Sequence, residues 1–225
     1  MKIVLKLSGH LLFPSIAHEK VALYAQVIKS LLEMGHKVHA VVGGGLPARQ
    51  YINVARALDI DEASCDEIGI VISRLNALLL AKAIRELSYY RIPKSFEELD
   101  EALTSGRCVV LGGLQPGQST SAVAALLAER VKADLLILTT DVDGIYAEDP
   151  KVNPKAKKID EISAKDLKQL VLSLEAKAGG YKLIDLVALS IIERAKIPTV
   201  VINGSETENI FRVIAGEKIG TRINP

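Results

Sequence analysis

A chain of 225 residues that is 49% hydrophobic can bury one large core or two small ones. Lys and Arg number 28 against 27 Asp and Glu, a net charge of +1, so no general attraction to nucleic acid or an anionic membrane is expected and any basic site must be local. Aromatic residues make up 4% and Trp is absent, which argues against a stacking platform for single-stranded nucleic acid. Cys65 and Cys108 lie far apart, with no CxxC pair and no neighbouring histidine. They read as reduced, buried thiols in preference to a disulfide or a metal site. No apolar run reaches membrane-spanning length, and the opening MKIVLKLSG is shorter than a signal peptide and interrupted by Lys6, so a cytoplasmic protein is expected.

Residues 3–7 predict a strand, in which Lys6 either faces a functional surface or guards a sheet edge. Ser8-Gly9-His10 follows as a glycine turn. Residues 19–34 place Val21, Tyr24, Ile28, Leu31 and Leu32 at helical spacing, and Gly35 ends that helix. A second strand, residues 38–42, breaks at Gly43-Gly44-Gly45 into a helix over residues 47–58 with Pro47 near its start. A buried strand feeding a glycine turn and a helix start suits a phosphate: glycines admit an anion close to the backbone, and free N–H groups point at it. An ordinary βα turn has the same look, so this junction alone decides nothing.

Ser64-Cys65-Asp66-Glu67 fits a capping box opening a long helix to about residue 87, with Asp66 in its first turn, where it could simply complement the helix dipole. Arg74 and Asn76 read as polar positions on that helix's exposed face. Residues 89–92 suggest a short strand, and Ser95-Phe96-Glu97-Glu98 a second capping box for a helix to about residue 104. A buried strand over residues 108–111 runs into the loop GGLQPGQSTS and an alanine-rich helix to Val131. Gly112 and Gly117 have Walker A spacing, but Gln118 stands where that loop needs lysine, and no G-x-G-x-x-G dinucleotide fingerprint occurs. Residues 135–140 predict a strand leading to a turn at Asp143-Gly144. Residues 151–158 read as a solvated basic face. Ser163 caps a helix to about residue 174, Gly179-Gly180 is a break, residues 183–195 are helical with Asp185 near the start, and strand, helix and short strand follow at 199–202, 207–215 and 220–223.

Strands alternating with helices imply a mostly parallel sheet between two helical layers, with the strand-to-helix turns on one edge. Four of those turns, after Leu7, Val42, Leu111 and Thr140, are rich in Gly, Ser, Thr or Asp. Several converging loops suggest a polyphosphate or two phosphorylated ligands side by side, hence phosphoryl transfer.

KLSG at residues 6–9, VVGGGLPAR at 41–49, TTDVDGIYAEDP at 139–150 and GEKIGTRI at 216–223 resemble the amino acid kinase superfamily from one end of the chain to the other. DEIG at 66–69, SRLNA at 73–77 and the loop from Gly112 to Thr120 resemble its archaeal UMP kinase branch more narrowly. That resemblance implies a three-layer αβα sandwich in one domain. Its acceptor part spans roughly residues 1–130 and its ATP part roughly 131–225. It also implies transfer of the γ-phosphoryl group of Mg-ATP to UMP, giving UDP and ADP in pyrimidine nucleotide synthesis, with Mg2+ arriving on ATP and no protein metal site. In catalysis, Lys6 would bridge the transferring group, and Asp185 would orient that lysine or the metal-bound phosphates. ATP would meet Lys6, Gly9, His10, Gly45, Arg49, Thr140, Asp141, Tyr146 and Asp149. UMP would meet Gly44, Asp66 at the ribose, and Leu114, Gln115, Pro116, Gly117, Gln118, Ser119 and Thr120 at the base. His10 departs from the usual pattern and is given a backbone role only. Lys177 and Lys182 read as surface lysines, with a place near ATP as the other reading. A homohexamer and feedback by UTP are further implications. The alternatives are a kinase of another small acid or phosphate on the same fold, and a non-catalytic nucleotide sensor.

Overall fold

The computed structural model describes residues 1–175 and 184–225. In chain order the elements are β1 (Lys2–Leu7), the one-turn α1 (Gly9–Leu12), α2 (Glu19–Glu33), β2 (Lys37–Val42), α3 (Gly45–Ala57) and α4 (Glu62–Ile84), which runs into a 3-10 turn at Arg85–Leu87. They continue as α5 (Phe96–Thr104), β3 (Val110–Leu111), α6 (Thr120–Val131), β4 (Leu135–Thr140), the two-stranded ribbon of β5 (Ile145–Tyr146) and β6 (Lys158–Ile159), and β7 (Glu161–Ser163). The last are α7 (Ala164–Glu175), α8 (Leu186–Ala195), β8 (Thr199–Asn203), α9 (Glu208–Ile214) and β9 (Thr221–Asn224).

Seven strands form one sheet in the order β3-β2-β1-β4-β8-β9-β7, parallel throughout except where β8 meets β9. Strands buried on both faces need apolar residues on both, and β1 divides its side chains between two cores. Ile3, Leu5 and Leu7 pack with Tyr24, Ile28 and Leu31 of α2, Leu80 and Ile84 of α4, and Ile210 of α9. Val4, with Val41, Leu136 and Leu138, packs with Val123 and Leu127 of α6 and Leu189 and Ile192 of α8. This is the expected three-layer sandwich. The alanines of α6 let that helix lie close over β1 and β2.

Several boundaries differ from the sequence reading. Asp61, not Ser64, caps α4: its carboxylate accepts from the Ser64 N–H at 3.0 Å and the Ser64 hydroxyl at 2.7 Å. An aspartate three residues upstream outcompetes the S-x-x-E match, and Asp66 falls one turn further in. The second capping box holds: Ser95 accepts from the Glu98 N–H, and Glu98 reaches back to the Lys94 N–H at 2.8 Å. The strand expected over 89–92 reduces to a single bridge between Ser88 and Cys108, and the one over 108–111 to β3. The ribbon of β5 and β6 and the strand β7 had no alternating pattern to announce them, being two or three residues long. Lys6 is not an edge lysine, because β1 is flanked by β2 and β4. Both cysteines are buried and free. Among the described residues no helix is long and apolar enough to cross a membrane.

Candidate active site

The chain leaves β1 outward through β2 to β3, then returns to lay β4 on the other side of β1. Such a reversal opens a crevice at the carboxyl ends of the two diverging strands, here β1 and β4. Thr139 closes its floor: its hydroxyl accepts from the Ser8 N–H at 3.0 Å and donates to the Lys6 carbonyl at 3.1 Å. Lys6 projects into the crevice from the face of β1 that carries Val4. Burial lowers its pKa to about 8, against the opposing pull of the Asp185 carboxylate. A lysine held this way is a compact cation with little water of its own, suited to an incoming anion.

A cavity of about 390 Å³ opens above Lys6, lined also by Ser8, His10, Arg49, Thr140, Asp141 and Asp149. Burial, and after it the charge of Arg49, lowers the His10 pKa. Lys151 crosses the cavity to pair with Asp141. Burial pushes the Asp141 carboxyl up, but the bond and charge of Lys151 prevail and hold it below the ordinary carboxylate range. Residues 151–158 are therefore not simply a solvated face, and Lys158 donates to the Gly220 carbonyl at 3.2 Å.

A second cavity, about 330 Å³, adjoins the first and shares His10 and Arg49 with it. Gly44, Gly45, Asp66, Ser73, Gly113, Gln115, Gln118 and Thr120 contribute to its wall. Two loops shape it, and α4 braces both. Asn76, 6% exposed, donates to the Gly43 and Gly44 carbonyls, each at 3.0 Å. Ser73 accepts from the Gly113 N–H at 2.7 Å. Asp66 accepts from the Gly117 N–H at 2.8 Å. Among the described residues the Gln118 Oε1 is buried without a partner, an acceptor of the kind that a bound ligand satisfies. The turn after β1 fits into the glycine triplet so closely that a Cβ on Gly9 would lie 2.1 Å from the Gly45 nitrogen.

Of the residues singled out from sequence, Lys6, His10, Arg49, Thr140, Asp141 and Asp149 line the first cavity, and Gly44, Gly45, Asp66, Gln115, Gln118 and Thr120 the second. Gly9 lies behind the walls, between the two glycine turns, and Tyr146 follows the lining residue Ile145. Leu114, Pro116, Gly117 and Ser119 form the loop without lining the cavity. Asp185 caps α8 through the Ala188 N–H at 2.9 Å, accepts a bond from the Ser119 hydroxyl, and acts on Lys6 through its charge. Lys177 and Lys182 lie outside the described residues. Sequence reasoning missed Ser73, Asn76 and Lys151, and it put Arg74 and Asn76 on an exposed face. Two polar residues inside an apolar helix were the available signal for Arg74 and Asn76.

A mostly parallel sheet whose interior strand β1 carries a desolvated lysine near its carboxyl end, beneath two joined cavities, suits a small-molecule kinase. The chain belongs to the amino acid kinase family, whose sequence pattern it matches over residues 1–203. It is 41% identical to a uridylate kinase of Methanobrevibacter smithii over 223 residues, 99% of each chain. It is 46% identical to a uridylate kinase of Hyperthermus butylicus over 224 residues, 98% of this chain and 97% of that one. The crystal structure of uridylate kinase from Archaeoglobus fulgidus, 44% identical, matches 99% of this chain and 100% of its own with a TM-score of 0.86.

Proposed function

We propose that this protein is a cytoplasmic UMP kinase, transferring the γ-phosphoryl group of Mg-ATP to the phosphate of UMP to give UDP and ADP on the way to CTP. The observation that carries the reading is the pair of cavities joined at His10 and Arg49, with Lys6 at the floor of one of them. Full-length relatives that are uridylate kinases supply the substrates.

In this reading the first cavity takes ATP, whose phosphates meet Lys6, Arg49 and His10 and extend toward the glycine turns of Gly9 and Gly45 where the two cavities join, with Thr140, Asp141, Tyr146 and Asp149 around the adenosine. The second cavity is built wholly from residues before 131, the part assigned to the acceptor. There Asp66 accepts from ribose hydroxyls and Gly44 meets the phosphate. The loop of Leu114, Gln115, Pro116, Gly117, Gln118, Ser119 and Thr120 reads uracil, and the orphaned Gln118 oxygen is one acceptor for a base donor. Mg2+ enters as part of the nucleotide substrate.

A phosphate monoester has a second pKa near about 6, so the UMP phosphate is a dianion at neutral pH and needs no general base. An oxygen of that dianion attacks the γ-phosphorus as the bond to the β-γ bridging oxygen breaks, and ADP leaves. The barrier lies in bringing two anions together, and the groups that lower it are the Lys6 charge, the Arg49 guanidinium and the backbone N–H groups of the glycine turns. The Asp185 charge partly offsets the burial that lowers the Lys6 pKa. UTP fits the same arrangement as a feedback inhibitor, its uracil in the acceptor cavity and its phosphates reaching toward Lys6. Inhibition should then be competitive against UMP.

A coupled ADP-release assay with Mg-ATP and a panel of UMP, CMP, AMP, GMP, acetylglutamate, aspartate and isopentenyl phosphate tests the reading. Turnover confined to UMP is expected. Turnover with another acceptor alone would keep the fold and discard the UMP pocket.

A further inference from the structure

We propose that Arg74 is a positioning residue for the acceptor: it clamps the loop after β3 into the shape that receives UMP, through main-chain carbonyls alone. The proposal rests on the assignment of the second cavity to UMP. Arg74 is half-buried on α4. Its Nε donates to the Gly113 carbonyl at 2.9 Å, and one terminal nitrogen donates to the Leu114 carbonyl at 2.9 Å and the Lys94 carbonyl at 3.4 Å. Among the described residues it forms no ion pair. A planar guanidinium fork holds two neighbouring acceptors in one fixed geometry, which a lysine ammonium cannot do.

Consecutive residues of one helix thus hold both polar groups of Gly113: Ser73 takes the N–H and Arg74 the carbonyl. The preceding glycine sits directly on the helix backbone, since a Cβ on Gly112 would lie 2.6 Å from the Arg74 nitrogen. Asp66, two turns earlier on α4, takes the Gly117 N–H. The loop is therefore pinned at both ends of the stretch that contains Gln115, and Gly113, Gln115 and Gln118 line the cavity. Arg74 is not part of that lining, so it acts on the acceptor only through the loop. Its bond to Lys94 also fastens the segment before α5 to the same point.

The test compares Arg74→Met, which keeps the apolar stem, and Arg74→Lys with the unsubstituted protein. For Arg74→Met the KM for UMP should rise by about 10- to 100-fold, as displaced binding groups commonly cost, while the KM for ATP stays within about two-fold. The amides of Gly113 and Gly117 should exchange hydrogen faster, and amides of β1 and β4 should not. Arg74→Lys should recover part of the UMP affinity, since one donor can reach one carbonyl. Equal rises in both KM values, a fall in kcat alone, unchanged constants or unchanged exchange at Gly113 would each overturn the role. No turnover of UMP by the unsubstituted protein would overturn the functional reading and this role with it. UMP turnover without the split would overturn this role alone.

Discussion

Lys6 sits where two costs oppose each other. Burial disfavours its charge and Asp185 favours it, and burial prevails, so the group titrates near pH 8 instead of 10.5. Phosphoryl transfer needs the protonated form. With UMP, kcat/KM should therefore fall below about pH 6, as the substrate phosphate takes up a proton, and fall again above about pH 8, as Lys6 loses one. Arg at position 6 stays charged, so the alkaline limb should vanish in whatever activity Lys6→Arg retains; a limb that persisted would belong to another group. Lys6→Ala should lower kcat by about 10³-fold while changing the KM for UMP by only a few-fold, because the charge matters most as charge develops in transfer. His39 shows the same physics in a structural role. Its Nδ1 accepts from the Val109 N–H at 3.1 Å, and burial lowers its pKa to about 4. In the unfolded chain it titrates near 6.5, so between these values the unfolded state binds the extra proton. This contribution to stability is complete above about pH 6.5 and is lost as the pH falls towards 4. Urea unfolding should show up to about 2 kcal/mol of loss from this group between pH 7 and 4.5, and His39→Gln should not show that component.

At the scale of elements, α4 organises the site. It was legible as a helix from its apolar residues, but its start and its purpose were not. The S-x-x-E match at Ser64 was a sound local signal that lost to Asp61, whose carboxylate takes the N–H of Ser64 itself and so starts the helix one turn earlier. Arg74 and Asn76 looked like solvent-facing interruptions because helical periodicity separates apolar from polar faces and cannot register a polar partner arriving from another loop. Both partners come from glycine turns, at Gly43-Gly44 and Gly113-Leu114, and their carbonyls need donors once buried. The two glycine turns also depend on each other. A methyl group on Gly9 has no room beside the backbone of Gly45, where no flexible side chain can yield. Gly9→Ala should separate the turn after β1 from the one after β2, which would remove most turnover and weaken ATP binding. Activity near that of the unsubstituted protein, measured with saturating UMP, would show that the turns can shift without loss.

For the molecule as a whole, the outward faces of α3 and α4 are unusually apolar. Tyr51 and Val54 on α3 with Leu58 at its C-cap, and Val71, Leu75 and Leu79 on α4, are each between 48% and 68% exposed, at spacings that make a stripe on each helix. Stripes of this kind mark surfaces that another molecule covers. The homohexamer implied by the family resemblance would cover them with copies of the same chain. Sedimentation should give a species several times the 24.3 kDa of one chain, and Val54→Glu should shift it to smaller species. A monomer at micromolar concentration would count against the assembly.

Local chemistry determined much of this protein. Alternating apolar strands and helices dictated the parallel sandwich, because a strand buried on both faces and a helix with one apolar stripe have few ways to pack together. Glycine turns at strand ends marked the crevice, and the motifs around Lys6, Gly44, Asp66 and Asp141 supplied its main residues. The tertiary structure alone decided how those turns are held. Whether Lys6 guards an edge or faces a ligand depends on which strands flank β1. Whether Arg74 and Asn76 are solvated or brace the site depends on carbonyls more than thirty residues away in the chain. Whether Lys151 belongs to a basic surface or to the cavity depends on Asp141, ten residues earlier, facing it across a loop. Each of these rests on a contact between segments whose separation no periodicity encodes, and hydrogen bonds and charges act on distance in space, not along the sequence.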